Sequence, residues 1–162
     1  MTKIVIILDA WEPIIGGGQK LFLKLIEGLI KNHHCQITLI TRALKDENNK
    51  KSTQNQNLLD GNFKIIRLGP ASHFHNPLGR FWFTLQSAIV AVRYKPDLFL
   101  ASSFLPGFTL KLIKLVNKTP NALVAIGFGA KSRFYKFLEK LITEKLKYDL
   151  LITDDHIFYQ KI

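Results

Sequence analysis

Three consecutive glycines, Gly16, Gly17 and Gly18, followed by Gln19, are the residues best suited to holding a ligand in this sequence. Glycine has no Cβ, so its backbone N–H groups can approach a bound molecule closely. At a helix start, those free N–H groups and the positive dipole end favour an anion, typically a phosphate. Two familiar phosphate loops fit poorly. A P-loop needs Lys-Ser/Thr after its last glycine, and Gln19-Lys20 stands there instead. The dinucleotide fingerprint needs a third glycine where Leu21 stands, and it opens directly from a strand.

The flanking segments set where this cluster sits. Lys3-Ile4-Val5-Ile6-Ile7-Leu8 is a continuous, β-branched apolar run, the pattern of a strand buried on both faces of a parallel sheet. After the glycines, Leu21, Leu25, Ile26, Leu29 and Ile30 recur at helical spacing, which predicts a helix from about Gln19 to Lys31 capped around Asn32-His33-His34. The two histidines read as a solvated helix end.

Strands are expected at Gln36–Thr41, Phe63–Leu68, Leu98–Ala101, Ala122–Ile126 and Asp149–Thr153. Gly69-Pro70 should end the Phe63 strand, and the polar stretch from Ala43 to Asn62 reads as a mobile surface loop. Helices are expected at 78–93, 105–117 and 132–147. In the first of these, Phe81, Leu85, Ala88, Ile89 and Val92, widened by Trp82 and Phe83, form the face expected to pack on the sheet. Alternating strands and helices predict a three-layer α/β fold, a doubly wound and mostly parallel Rossmann-like sheet with right-handed crossovers. Arg42 and Ser102-Ser103 fall at C-terminal strand ends, the edge where such sheets bind ligands. An arginine there could read the 2′-phosphate of NADP, but the first loop argues against that use. His73 and His75 have no acidic or cysteine companion nearby and read as an exposed loop, with acceptor contact as their functional alternative; no metal site is expected.

The first strand, the Pro13-Ile14-Ile15-Gly16-Gly17 loop and the amphipathic helix after it resemble the N-terminal domain of GT-B glycosyltransferases, specifically the retaining family 4. Lys95-Pro96-Asp97 before a buried strand matches that family's pattern too. His34-Cys35-Gln36-Ile37-Thr38 occupies its Gly-His-x-Val-Thr-type segment with both leading residues changed. The resemblance covers nearly the whole chain but only the first half of such an enzyme. It implies a domain spanning residues 1–162 on the acceptor side, with the C-terminal donor-binding domain and its Glu-x7-Glu segment absent. Glu139 and Glu144 have the wrong spacing and surroundings for that segment, and read as solvated.

By the same resemblance, Gly16, Gly17, Gly18 and Gln19 approach the donor phosphates, while Asp9, Trp11 and Ser103 line the acceptor side. Phe128 stands where many relatives have a histidine, followed by Gly129 as in that motif. Phenylalanine stacks on a sugar face but cannot donate a hydrogen bond to developing charge. The implied activity is sugar transfer from a nucleotide-sugar, a substrate rather than a cofactor, to a glycan or lipid-linked acceptor, with no required metal. The implied partners are the donor, the acceptor and a C-terminal donor-binding domain or partner chain. The alternatives are a non-catalytic sugar- or nucleotide-binding module, or an inactive remnant, on the same fold. An NADP-dependent reductase ranks last.

Composition narrows the setting. An apolar content of 47% argues against disorder, and a formal net charge of +11 favours anionic partners. The single Cys35 excludes an internal disulfide and a cysteine-based zinc cluster. With no secretory signal at the start, a cytoplasmic location is expected. The predicted helix at 132–147 sets aromatic and leucine residues against lysines, so peripheral contact with an anionic membrane face is an expected property. No motif points to nucleic acid.

Overall fold

The computed structural model describes residues 1–11, 16–44, 57–58, 61–72, 76–125 and 148–153. In chain order these form β1 (Lys3–Leu8), α1 (Gly17–His33), β2 (Gln36–Leu44), β3 (Asn57–Leu58), β4 (Phe63–Ser72), α2 (Pro77–Arg93), β5 (Leu98–Ser102), α3 (Phe104–Val116), β6 (Asn121–Ala125) and β7 (Leu150–Thr153). The seven strands make one sheet in the order β3-β4-β2-β1-β5-β6-β7. Every neighbouring pair is parallel except β3 with β4. The expected doubly wound α/β architecture is therefore present. The chain winds outward from β1 through β2 to β4, then crosses back to build β5, β6 and β7. Between β1 and β5 the winding reverses, which opens a crevice at their C-terminal ends.

The β1 run is buried on both faces, as its sequence predicts. Ile4, Ile6 and Leu8 pack with Phe22, Ile26 and Ile30 of α1 on one side. Val5 and Ile7 join Phe83 and Ala91 of α2 and Leu110 and Ile113 of α3 on the other. His34 caps α1 in the left-handed conformation at φ 51°, its N–H donating to the Ile30 carbonyl. The Lys-Pro-Asp segment is pinned to β1. The Lys3 N–H donates to the Asp97 carboxylate at 2.8 Å, and the Asp97 N–H returns to the Lys3 carbonyl at 2.8 Å.

Three expectations need correction. The stretch 43–62 is not wholly loop, because Asn57–Leu58 pairs antiparallel with Phe63 and Lys64 at the sheet edge. The β4 strand does not stop at Gly69-Pro70. Gly69 takes φ +79°, a conformation its missing Cβ permits, and the strand continues to Ser72, pairing with Leu44 beyond a register shift.

The third concerns which side of α2 faces the sheet. Its buried residues are Phe83, Thr84, Ser87 and Ala91, whereas Phe81, Trp82 and Ile89 are exposed. Of the expected face, Phe83, Ala88 and Val92 do pack in the core; beside them Thr84 and Ser87 turn inward, where α2 and α3 approach closely. The Ser87 and Thr109 hydroxyls lie 3.3 Å apart, and the Thr109 hydroxyl also reaches the Thr84 carbonyl at 3.4 Å. Large side chains at those positions would hold the two helices apart.

Candidate functional site

The register of β1 decides what meets at the crevice. Leu8 pairs with Ser102 of β5 on one side and with Thr41 of β2 on the other. The next residues, Asp9, Ser103 and Arg42, are therefore neighbours at the same sheet edge. A cavity of about 220 Å³ lies there, lined by Leu8, Asp9, Ala10, Gly18, Gln19, Phe22, Arg80, Ser102 and Ser103.

Three helix starts converge on this cavity. Gly18 and Gln19 come from the first turn of α1, Arg80 from the first turn of α2, and Ser103 is the residue preceding α3. None of the three helices has an acidic residue in its first turn, where one would ordinarily offset the positive dipole end. Neither α1 nor α3 has an N-cap side chain that accepts from its first-turn N–H groups. The cavity wall is thus rich in helix N-terminal dipoles, and among the described residues its one lining carboxylate, Asp9, is matched by two arginines, a setting that favours an anion.

The glycine cluster opens α1 as expected. Gln19 folds back, accepting from the Gly16 N–H at 2.9 Å and donating to the Ala10 carbonyl at 3.4 Å, so its amide ties Gly16 to Ala10. A Cβ built on Gly16 would meet the Gln19 amide oxygen at 3.0 Å. At Gly17 and Gly18 a Cβ would meet nothing within 4 Å, so packing among the described residues does not require glycine at either position.

Asp9 is the charged centre of the site. Its carboxylate is buried and faces two guanidinium groups. Arg80 donates from Nη2 and Nε to Oδ2, at 2.7 and 2.9 Å. Arg42 Nε approaches Oδ1 at 3.4 Å, close enough for an ion pair but not aligned for a hydrogen bond. The Arg42 side chain is 1% exposed and its Nη1 reaches the Asn76 carbonyl at 3.5 Å. Burial lowers the pKa of that guanidinium, the Asp9 charge opposes the shift, and Arg80 adds to it. Arg80 stays 26% exposed, so it presents the cluster's positive charge to the cavity. Its position is fixed at the sequence level by Asn76, which accepts from the Leu78 and Gly79 N–H groups, with Pro77 as the first helical residue.

Ser103 holds an unusual backbone, with φ 74° and ψ 175°. Side-chain-bearing residues rarely enter that region, and the strain of about 1–3 kcal/mol is seen mostly at ligand sites and switches.

Of the residues singled out by sequence, Asp9, Gly18, Gln19 and Ser103 are brought together at the cavity. Trp11 is buried instead in the core beneath α1. Gly16 and Gly17 lead into the helix without lining the cavity. Phe128, Gly129, His73, His75 and the predicted helix at 132–147 lie outside the described residues. Arg42 belongs to the ion cluster under the cavity floor, away from the rim where it would meet NADP. Sequence reasoning missed Arg80. Its only local signal was a lone cation among Phe81, Trp82 and Phe83 just after an Asn-Pro helix start.

No family profile and no curated protein matches the sequence. Solved structures do. Sucrose-phosphate synthase from Thermosynechococcus elongatus superposes with a TM-score of 0.69 over 93% of this chain, at 14% identity. A shorter chain of the same enzyme superposes with a TM-score of 0.63 over 93%, at 12% identity. The chain has a GT-B glycosyltransferase-like fold. It spans 42% of the first neighbour's length and 75% of the second's. At these identities the likeness is one of fold, and it matches a glycosyltransferase N-terminal half.

Proposed function

We propose that this GT-B-like chain forms the acceptor-side part of a family 4 glycosyltransferase site. That site transfers a sugar from a nucleotide-sugar to a glycan or lipid-linked acceptor with retention. The observation that carries this reading is the convergence of three helix starts without first-turn acids, together with Arg80, on one cavity at the β1/β5 switch point. Such a wall suits the diphosphate of the donor or an anionic acceptor group. In the reaction, the acceptor hydroxyl oxygen bonds to the anomeric carbon as that carbon's bond to the diphosphate breaks. The nucleoside diphosphate leaves with the electron pair, and the hydroxyl proton passes to the departing phosphate. Dipoles and a guanidinium already aimed at the leaving group stabilise the charge that develops on it.

The cavity's about 220 Å³ is small beside the roughly 300–1,000 Å³ of pockets that bury a whole drug-sized ligand. That size fits a shared site, completed by a donor-binding domain or partner chain. No metal or other cofactor is invoked.

A binding titration tests the reading, with UDP, GDP and their sugar conjugates run on the parent chain and on Gly18→Val, the glycine that lines the cavity. Because a Cβ at Gly18 meets nothing within 4 Å among the described residues, valine there leaves the fold intact and obstructs only a ligand entering the cavity. The expected result is saturable millimolar-or-tighter binding that the variant loses while its circular dichroism is unchanged. Equal binding by the two proteins, or none by either, would overturn the assignment of phosphate to the glycine cluster. Transfer activity on adding a donor-binding domain tests the remainder, and its absence with every donor would count against it.

A further inference from the structure

The outward surface of α2 and α3 is apolar where a soluble helix is normally polar. Leu78, Phe81, Trp82 and Ile89 of α2 project from the side opposite the sheet, Phe81 at 62% and Trp82 at 52% exposure. Phe108 and Leu115 of the adjacent α3 extend the patch. The inner side of α2 is already packed in the core, so this outward apolar patch on a water-exposed helix marks a missing partner.

We propose that this face docks the chain on an anionic lipid surface. Charge selects that occupant. Neither α2 nor α3 contains an acidic residue. Exposed Arg93 closes α2, and exposed Lys118 follows α3. The chain as a whole carries +11. A second copy would bring like charge against like, whereas anionic headgroups complement it. Adjacent Phe81 and Trp82 suit the bilayer interface, where aromatic rings bury their apolar bodies among headgroups. No described helix is long and apolar enough to cross a membrane, so the contact is peripheral.

The docking stands on this surface alone. Its link to the site rests on the transferase reading: the helix that meets the lipid also carries Arg80 into the cavity, so a docked chain holds that wall beside a lipid-linked acceptor.

The test is sedimentation with phosphatidylglycerol/phosphatidylcholine vesicles and with phosphatidylcholine alone, in the absence of nucleotide. A parallel measurement follows the emission of Trp82, since Trp11 is buried and gives a constant background. The parent should bind the anionic vesicles with a blue shift and lose them in high salt. The double substitution F81S/W82S, at exposed positions that leave the core untouched, should weaken sedimentation roughly tenfold. R93Q/K118Q should weaken it roughly fivefold for each charge removed, on anionic vesicles only. Absence of parent binding, or unchanged binding by F81S/W82S, would overturn the proposal. So would a parent dimer in vesicle-free solution that F81S/W82S converts to monomer, because the occupant would then be a second copy. None of these outcomes depends on nucleotide binding or sugar transfer.

Discussion

Replacing Asp9 by asparagine tests the charge cluster beneath the cavity. The substitution keeps the side chain's shape and removes the negative charge that Arg42 and Arg80 both face. Arg42 is enclosed, so its charge gains little from solvent, and removing one member of a buried pair costs about 3–5 kcal/mol. Arg80 is part-exposed, and a pair of that kind contributes only about 0.2–1 kcal/mol. The amide oxygen of asparagine still accepts from Arg80, and Arg42 keeps its contact with the Asn76 carbonyl. The expected loss is therefore about 3 kcal/mol, at the lower end of the buried-pair range. Urea unfolding at neutral pH, followed by tryptophan fluorescence, would measure it. In a double-mutant cycle with Arg42→Met, the paired substitution should cost about 2 kcal/mol less than the sum of the single ones. High salt should change the Asp9→Asn loss little, because the Arg42 pair is shielded from solvent ions. A loss under about 1 kcal/mol that adds to the Arg42→Met effect without coupling would refute the reasoning.

Ser103→Gly should raise stability by about 1–2 kcal/mol, by relieving a backbone held at φ 74° and ψ 175°; an unchanged or lower urea midpoint would show that the strain is not stored there. The tether between α3 and β7 should be acid-sensitive. Burial tends to raise the Asp149 pKa, but the hydrogen bond from Lys114 at 2.7 Å, the Asn121 N–H and the charges of Lys114 and Lys111 outweigh it, and the carboxyl titrates below its usual value. A carboxyl lowered on folding stabilises the fold above its unfolded value of 3.8 and loses that contribution as pH falls through the folded value. Asp149→Asn should therefore lower the unfolding free energy at neutral pH by less than about 1 kcal/mol, and the difference from the parent should shrink below pH 3.8. A difference that persists in acid would exclude ionisation as its source.

The site was legible where one residue's chemistry sufficed. Glycines before an amphipathic run announced the helix start that Gly18 and Gln19 bring to the cavity, and an Asp and a Ser just beyond apolar strands announced a sheet edge. Trp11 was misleading because its position after β1 suggested the rim, while its indole is more stable buried against α1. Arg80 was invisible because its role depends on α2 crossing from β4 to the far side of β1. No local pattern encodes a contact between residues 71 positions apart.

The sequence by itself determined the alternation of strands and helices, the all-apolar β1 and the glycine start of α1. Each follows from short-range periodicity and backbone preference, which neighbouring residues carry among themselves. Tertiary structure alone decided the rotation of α2. By sequence, either of its sides could cover the sheet, and the one with the larger apolar residues is the stronger candidate. Close approach to α3, with Ser87 against Thr109, and the reach of Arg80 to Asp9 select the side that carries Phe83, Thr84, Ser87 and Ala91. That choice turns Phe81 and Trp82 to the outside and brings Arg80, paired with Asp9, to the cavity. Rotation about a helix axis is fixed by packing between elements distant in sequence, so it is absent from any single stretch of residues.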